Sequence, residues 1–212
     1  GPKIKGMVRS LKANQGMRDL RHQLEKFHGS NEGGQAAVEK AWPHLSHDDR
    51  NIRYAARMAI ENQDVALWKD RALQETNPRA VIYSSIAMSR QGEASLKKLL
   101  TLDFAALKKE DQLAWLRAAS LCFIRLGEAE EMHAKKVIGI LDPHFPAKDD
   151  DLNSELCRIL SDLNAPSVVE KTIALMKATK TKGMAYDKEM LKLSEYGQEI
   201  LKSMANTPNV EN

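Results

Sequence analysis

Aromatic residues are scarce: Phe, Tyr and Trp together make up 5% of the 212 residues. Sheets favour aromatic and β-branched side chains, so this shortage leaves Leu, Ile, Ala and Met to fill a helical core. There are 2 cysteines, Cys122 and Cys157, with no CxxC and no CxxCH. No zinc, dithiol redox or covalent haem site therefore follows from the sequence. Both lie in apolar helical patterns, Leu121-Cys122-Phe123-Ile124 and Leu156-Cys157-Arg158-Ile159-Leu160, and read as buried free thiols packing like small hydrophobes. No apolar run approaches the roughly 20 residues needed to cross a bilayer. No secretory leader is visible. Gly1-Pro2 reads as the scar of a tag-removing protease, so the native N-terminus is expected to lie upstream and a missing leader carries no information on compartment.

An excess of positive charge along the body is also lacking. The chain carries a formal net charge of +3. Residues 1–28 hold 7 Lys/Arg against 2 acids, and residues 171–192 hold 6 Lys against 2 acids. Between them, residues 29–170 carry 18 basic and 22 acidic residues, a net of −4. A nucleic-acid groove needs its Lys and Arg along the body, so this distribution argues against one. Hydrophobic residues at 42% and charged residues at 29% are ordinary for a folded domain.

What the sequence does contain is helical punctuation. A first helix is expected from about Met17 to Phe27, with Leu20, Leu24 and Phe27 on one stripe, broken by Gly29-Ser30-Asn31-Glu32-Gly33-Gly34. A second covers about Gln35 to Leu45. Asp48 is expected to cap a third running to about Glu61, with Ile52, Ala56, Ala59 and Ile60 facing inward. A fourth starts at Asp64 and reaches about Glu75. Asn77-Pro78, cap then first-turn proline, opens a fifth that ends at Gly92. Ala94 to Leu102 is a short sixth, Lys109 to Leu126 a long seventh stopped by Gly127, and Glu128 to Leu141 an eighth. Asp149-Asp150-Asp151 starts a ninth, where carboxylates suit the positive helix end. A tenth runs to about Ala178 and a last one from Lys188 to Met204. These are about eleven helices with no strand. Apolar-small openings recur at Ile52, Ala80, Leu113 and Leu152, an irregular spacing typical of degenerate helical repeats whose pairs bury their faces only by stacking.

The segment from Leu45 to Ile60 resembles a HEAT repeat. In that family an Asp at the turn within a repeat and an Arg at the start of its second helix bond across neighbouring turns. Asp48 or Asp49, with Arg53, match those positions; Arg79, Arg117 and Arg158 fill the Arg role only loosely. The resemblance implies an all-α, right-handed α-solenoid of HEAT-like helix pairs over residues 16–178. Residues 1–15 are then tag scar and basic linker, and residues 179–212 a loop, terminal helix and frayed tail. The segments Leu20–Gly29, Ala41–Leu45, Ile52–Arg57, Glu75–Ala80 and Leu141–Pro146 are in addition similar to the helical middle region of large exported bacterial proteins that join a β-propeller, HEAT-like helices and a c-type cytochrome module. That similarity implies an excised middle module, exported or periplasmic, of a parent related to haem-containing dehydrogenases.

Candidate sites compete with plainer explanations. Trp42, His44, His47, Asp48 and Asp49 cluster at one turn, where two histidines with carboxylates could suit a metal, but a polar turn with a capping Asp is the stronger reading. Trp42, His44 and His144, the last held between Pro143 and Pro146, are candidates for an interaction surface. His22 and His28, six apart, share no helix face. Asp111, Trp115 and Arg117 invite comparison with HEAT-like DNA glycosylases, which the acidic body disfavours. The methionines read mostly as core gap fillers, and the Lys177–Lys182 loop has no interleaved aromatics for base stacking. The reading is a non-catalytic scaffold or protein-interaction module, with no cofactor or metal ligand in this chain, nucleic acid an unfavoured partner and no membrane span. The alternative is a HEAT-like nucleic-acid-binding or DNA-repair protein. If Arg53 bonds buried turn groups, Arg53→Ala lowers stability by about 1–3 kcal/mol in urea denaturation; an unchanged midpoint would remove the repeat assignment.

Overall fold

A computed structural model describes residues 14–29, 33–92, 94–126 and 131–178. Among these residues all regular structure is helical: α1 (Gln15–Glu25), α2 (Gly34–Ala41), α3 (Arg50–Glu61), α4 (Lys69–Gln74), α5 (Pro78–Arg90), α6 (Leu96–Leu99), α7 (Lys109–Leu126), α8 (Glu131–Leu141), α9 (Asp150–Asp162) and α10 (Val168–Ala178), with 3-10 turns at Trp42–Ser46, Val65–Leu67, Phe104–Ala106 and Asp142–His144. Contacts divide the chain into two units, residues 1–172 and 173–212. Of the second, only the end of α10 is described, with Ile173 and Met176 exposed. The expected basic tail up to residue 13, the Gly127 stop, the basic loop after Ala178, the terminal helix at Lys188–Met204 and the last residues lie outside the described residues.

In the first unit α1 packs on α3, α3 on α5, α5 on α7 and α7 on α9. The intervening helices pair with their successors: α2 on α3, α4 on α5, α6 on α7, α8 on α9. Ala55, Ala56, Ala59, Ala80, Ala87, Ala118 and Ala119 are all buried, and these small side chains let helix backbones approach closely. The center is α5, whose residues from Ala80 to Ser89 are all buried except Tyr83. Trp68 and Trp115 have no exposed surface and anchor the spaces between helices. Burial of such a side chain contributes about 1.5–3 kcal/mol.

The capping chemistry departs from expectation at three places. Asp49, not Asp48, caps α3: its Oδ1 accepts from the N–H groups of Asn51 and Ile52. Asp48 lies one residue earlier and points to solvent, where it meets Arg79. The second helix stops at Ala41 and continues as the 3-10 turn Trp42–Ser46, because Pro43 has no N–H to continue the ladder. The region after Asp64 is likewise divided into a 3-10 turn and the short α4. Other limits match closely: Asn77 caps α5 through Arg79 and Ala80 with Pro78 in the first turn, and α7 spans Lys109–Leu126.

One register position recurs. The N–H that closes the first helical turn belongs to Arg53 in α3 (on the Asp49 carbonyl), Val81 in α5 (on Asn77), Gln112 in α7 (on Lys108) and Asn153 in α9 (on Asp149). Three of these four side chains also reach back to the preceding turn. Arg53 Nη1 donates to the His47 and Asp48 carbonyls at 2.7 and 2.8 Å. Gln112 Nε2 donates to the Phe104 carbonyl at 3.1 Å. Asn153 pairs with Ala147 twice, donating from Nδ2 to the carbonyl at 2.9 Å and accepting the N–H at 2.6 Å. The turn before α9 therefore repeats the turn before α3: Pro43-His44 and Pro143-His144 lie in 3-10 turns, Asp49 and Asp149 cap, Ile52 and Leu152 are buried, and Arg53 and Asn153 staple.

Gln112 and Asn153, rather than Arg79, Arg117 or Arg158, thus share the role of Arg53. Arg79 lies earlier in its helix and pairs with carboxylates, Arg117 faces solvent, and Arg158 pairs with Glu155 on the surface. Asn153→Ala leaves the Ala147 amide and carbonyl without their partners and should cost about 1–3 kcal/mol in urea denaturation, whereas Arg158→Ala should change stability by less than about 0.5 kcal/mol. Equal effects of the two substitutions would overturn the equivalence of Asn153 and Arg53.

Candidate interaction surface

The openings of α3, α5, α7 and α9 are tied to one another by charged side chains. Arg79 Nε and Nη2 clasp the two oxygens of Asp111 at 2.7 and 3.0 Å, and its Nη1 reaches Asp48 at 3.0 Å. Arg53 Nη2 bonds Glu110, linking α3 to α7 past α5, while its guanidinium carbon lies 5.3 Å from the Tyr83 ring centroid. Lys109 Nζ bridges Asp149 and Asp151 at 2.6 and 2.9 Å, linking α7 to α9. The Asp111 carboxylate holds the Arg79 guanidinium above its ordinary value against the opposing effect of burial. The bond from Lys109 lowers the Asp149 carboxyl, helped by the Leu152 N–H. For Asp49 the Ile52 N–H is the main cause of lowering.

Residues with catalytic potential on sequence grounds are engaged in this framework. Asp111 is buried against Arg79. Trp115 is buried, donates from Nε1 to the Leu99 carbonyl at 3.1 Å and packs edge-on against Phe104 at 5.3 Å between centroids. Trp42 is buried rather than displayed: its Nε1 donates to Glu75 at 2.7 Å and Arg71 covers its ring. His144 is half-buried beside the Phe104 ring. His28 donates from Nε2 to the Ala55 carbonyl at 2.9 Å, fastening the end of α1 to α3. Among the described residues no group of three or more His, Cys, Asp or Glu is arranged to hold a metal ion, and no helix is long and apolar enough to cross a membrane.

Cys122 is buried within hydrogen-bond reach of the Ser89 and Ser95 hydroxyls. Cys157 is only half-buried, beside Thr172, because its face of α9 is not fully covered. Met88 fills the core, but Met132 and Met176 lie on outward faces of α8 and α10 and are exposed.

The turn before α3 carries two histidines. His47 accepts the Asp49 N–H on Nδ1 at 2.9 Å, and the half-buried His44 ring lies 6.1 Å from it between centroids. Burial lowers the His44 pKa, and His47 and Lys40 add to the effect. The unfolded chain therefore takes up this proton before the folded one does. The resulting stability is fully present above the ordinary value of about 6.5 and is lost as pH falls towards the folded value. The lowered carboxyls of Asp49 and Asp149 act in a separate window, below about pH 4. His44→Gln should flatten the urea midpoint between about pH 7 and pH 5; an unaltered slope would assign it elsewhere. Compared with protein-family models, curated proteins and solved structures, the chain matches none of them.

Proposed function

We propose that this chain is a HEAT-like, right-handed α-solenoid acting without catalysis, as a scaffold or protein-interaction module. One observation carries this reading: the charged and amide side chains at the helix openings are spent on holding turns and neighbouring helices in register, from Asp48 through Arg79 to Asp111 and from Lys109 to Asp149. Catalysis needs groups left poised towards a substrate; here Asp111 and Trp115 are bonded within the helix stack. The pairing of successive helices and the repeated stapled turn support stacked helix pairs, in which each unit buries its apolar face against the next. A module of this kind presents surface to other domains or proteins. By its resemblance, the parent is a larger exported bacterial protein with a propeller and a c-type cytochrome, and this chain positions those parts.

Two measurements test the reading. Fluorescence anisotropy with duplex DNA and with DNA containing an abasic site, at low salt, should show no binding and no strand cleavage. Salt-sensitive DNA binding or cleavage would replace it with the nucleic-acid reading. A visible spectrum of the full-length parent should show a c-type haem band, and its absence would remove the cytochrome-linked parent while leaving the module.

A further inference from the structure

Further along the same helices the charge balance reverses. Glu61, at the end of α3, is 7% exposed. One of its oxygens takes Arg57 from its own helix and the other takes Arg90 from the end of α5, while its main-chain carbonyl takes the Gln91 side chain. One carboxylate thus answers two guanidiniums. A third, Arg117 on α7, is exposed and has no hydrogen bond or ion pair among the described residues. Burial lowers the Arg57 guanidinium; Glu61 opposes this, and the positive charges of Arg90 and Arg117 add to the lowering. Arg57 lies one turn past Arg53 on α3 and Arg117 two turns past Glu110 on α7, so the contact between Arg53 and Glu110 brings Arg57 and Arg117 to one side of the stack. Among the described residues Glu61 is the one acid bonded to Arg57 or Arg90. Tyr54, 55% exposed, lies beside them with its ring centroid 5.2 Å from the Arg57 guanidinium carbon.

We propose that Arg90 and Arg117, with Arg57 behind them and Tyr54 at the rim, form a docking site for a carboxylate-rich segment of a partner protein. The proposal rests on the interaction-module reading and supplies its partner chemistry. Guanidinium forks match carboxylates with paired hydrogen bonds, and a desolvated Arg beside an exposed Tyr is the composition favoured at interface anchors. Charge complementarity also selects against a nucleic-acid strand. The positive patch is small, the body around it carries a net of −4, and the exposed Asp48 before α3 and the half-exposed Glu110 on α7 stand at the openings of the same helices. A long phosphate backbone would pass over those acids, whereas a short acidic segment need not.

The test uses the full chain with a short fluorescein-labelled oligoglutamate peptide, an oligoglutamine control and a thymidine oligonucleotide, followed by fluorescence anisotropy at low salt. The oligoglutamate should bind, the oligoglutamine should not, and Arg117→Gln should weaken oligoglutamate binding about tenfold, as the loss of one charge-assisted contact does. Arg117 is exposed and makes no hydrogen bond or ion pair among the described residues, so this variant retains its melting temperature. Arg90→Gln should weaken binding similarly, whereas Arg158→Gln, on α9, should leave it unchanged. Absence of oligoglutamate binding, an equal loss in Arg158→Gln, or thymidine oligonucleotide binding that depends more strongly on Arg117 would overturn the site. Should oligoglutamate fail while DNA also fails to bind, this site falls and the scaffold reading stands; DNA cleavage would remove the scaffold reading itself.

Discussion

The arrangement of the helices depends on a guanidinium with no exposed surface. Burying a charged group is costly unless its donors are used. Here the turn before α3 supplies two carbonyls that the helix itself cannot satisfy, those of His47 and Asp48, and both accept from Arg53 Nη1. The second nitrogen reaches Glu110 on α7, and the face of the group lies against Tyr83 on α5. One side chain therefore fixes the bend between the 3-10 turn and α3, and also sets α3 against α5 and α7. Main-chain carbonyls withdrawn from water need partners as much as the cation does, so each meets part of the other's need, although Arg53 Nε is buried without a hydrogen-bond partner among the described residues.

The ionic contacts and the apolar core divide the work. Lys109 and Asp151 are exposed and Asp149 is half-buried, and ion pairs this open to water contribute between nothing and about 1 kcal/mol. Arg79 and Asp111 are mostly covered, where attraction and lost hydration nearly cancel, although removing one partner leaves the other stranded. Stability comes mainly from Trp68, Trp115, the leucines and the closely approaching alanines. The charges contribute register: sliding α5 along α7 by one turn would separate Arg79 from Asp111 while the apolar faces could still find contacts. Alanine-rich faces are tolerant of such sliding, and specific pairs at the helix openings make one alignment preferable.

The all-helical fold was legible because its signals are local. Asn77-Pro78 opens α5 by capping geometry and proline stereochemistry, and α7 is marked by carboxylates in its first turn followed by an apolar-rich stretch to Leu126. Locating the cap at Asp48 rather than Asp49 was a one-residue ambiguity between adjacent carboxylates, resolved by which one can reach the Asn51 and Ile52 N–H groups. The repeated staple was harder to see. Its role is to donate to a turn carbonyl, which Arg53, Gln112 and Asn153 all do with different chemistry, so a pattern of arginines alone points instead to Arg117 and Arg158 on outer faces. Pairing of Arg53 with Glu110 or of Arg79 with Asp111 joins residues far apart in the chain, and no local pattern encodes it. Trp42 read as a possible surface anchor, but the nearby Glu75 carboxylate and Arg71 guanidinium that cover it come from α4 and its end.

The two charged regions of this helix stack differ in what they leave unmet. At the openings, three cations, Arg53, Arg79 and Lys109, face five carboxylates from Asp48, Glu110, Asp111, Asp149 and Asp151, so each of these three has at least one acidic partner. Among the described residues Arg57 and Arg90 share the one carboxylate of Glu61, itself nearly covered, and Arg117 adds a third positive charge that acts on Arg57. Arg57 and Glu61 are four residues apart on α3, a spacing that in sequence reads as an ordinary surface pair; only the approach of Arg90 turns it into a crowded site. Folding alone gives no return for placing Arg117 beside cations already in excess, since like charges raise the free energy of the compact state. A surplus kept at the meeting of three packed helices, next to an exposed tyrosine, is explained when the missing negative charge arrives from another molecule.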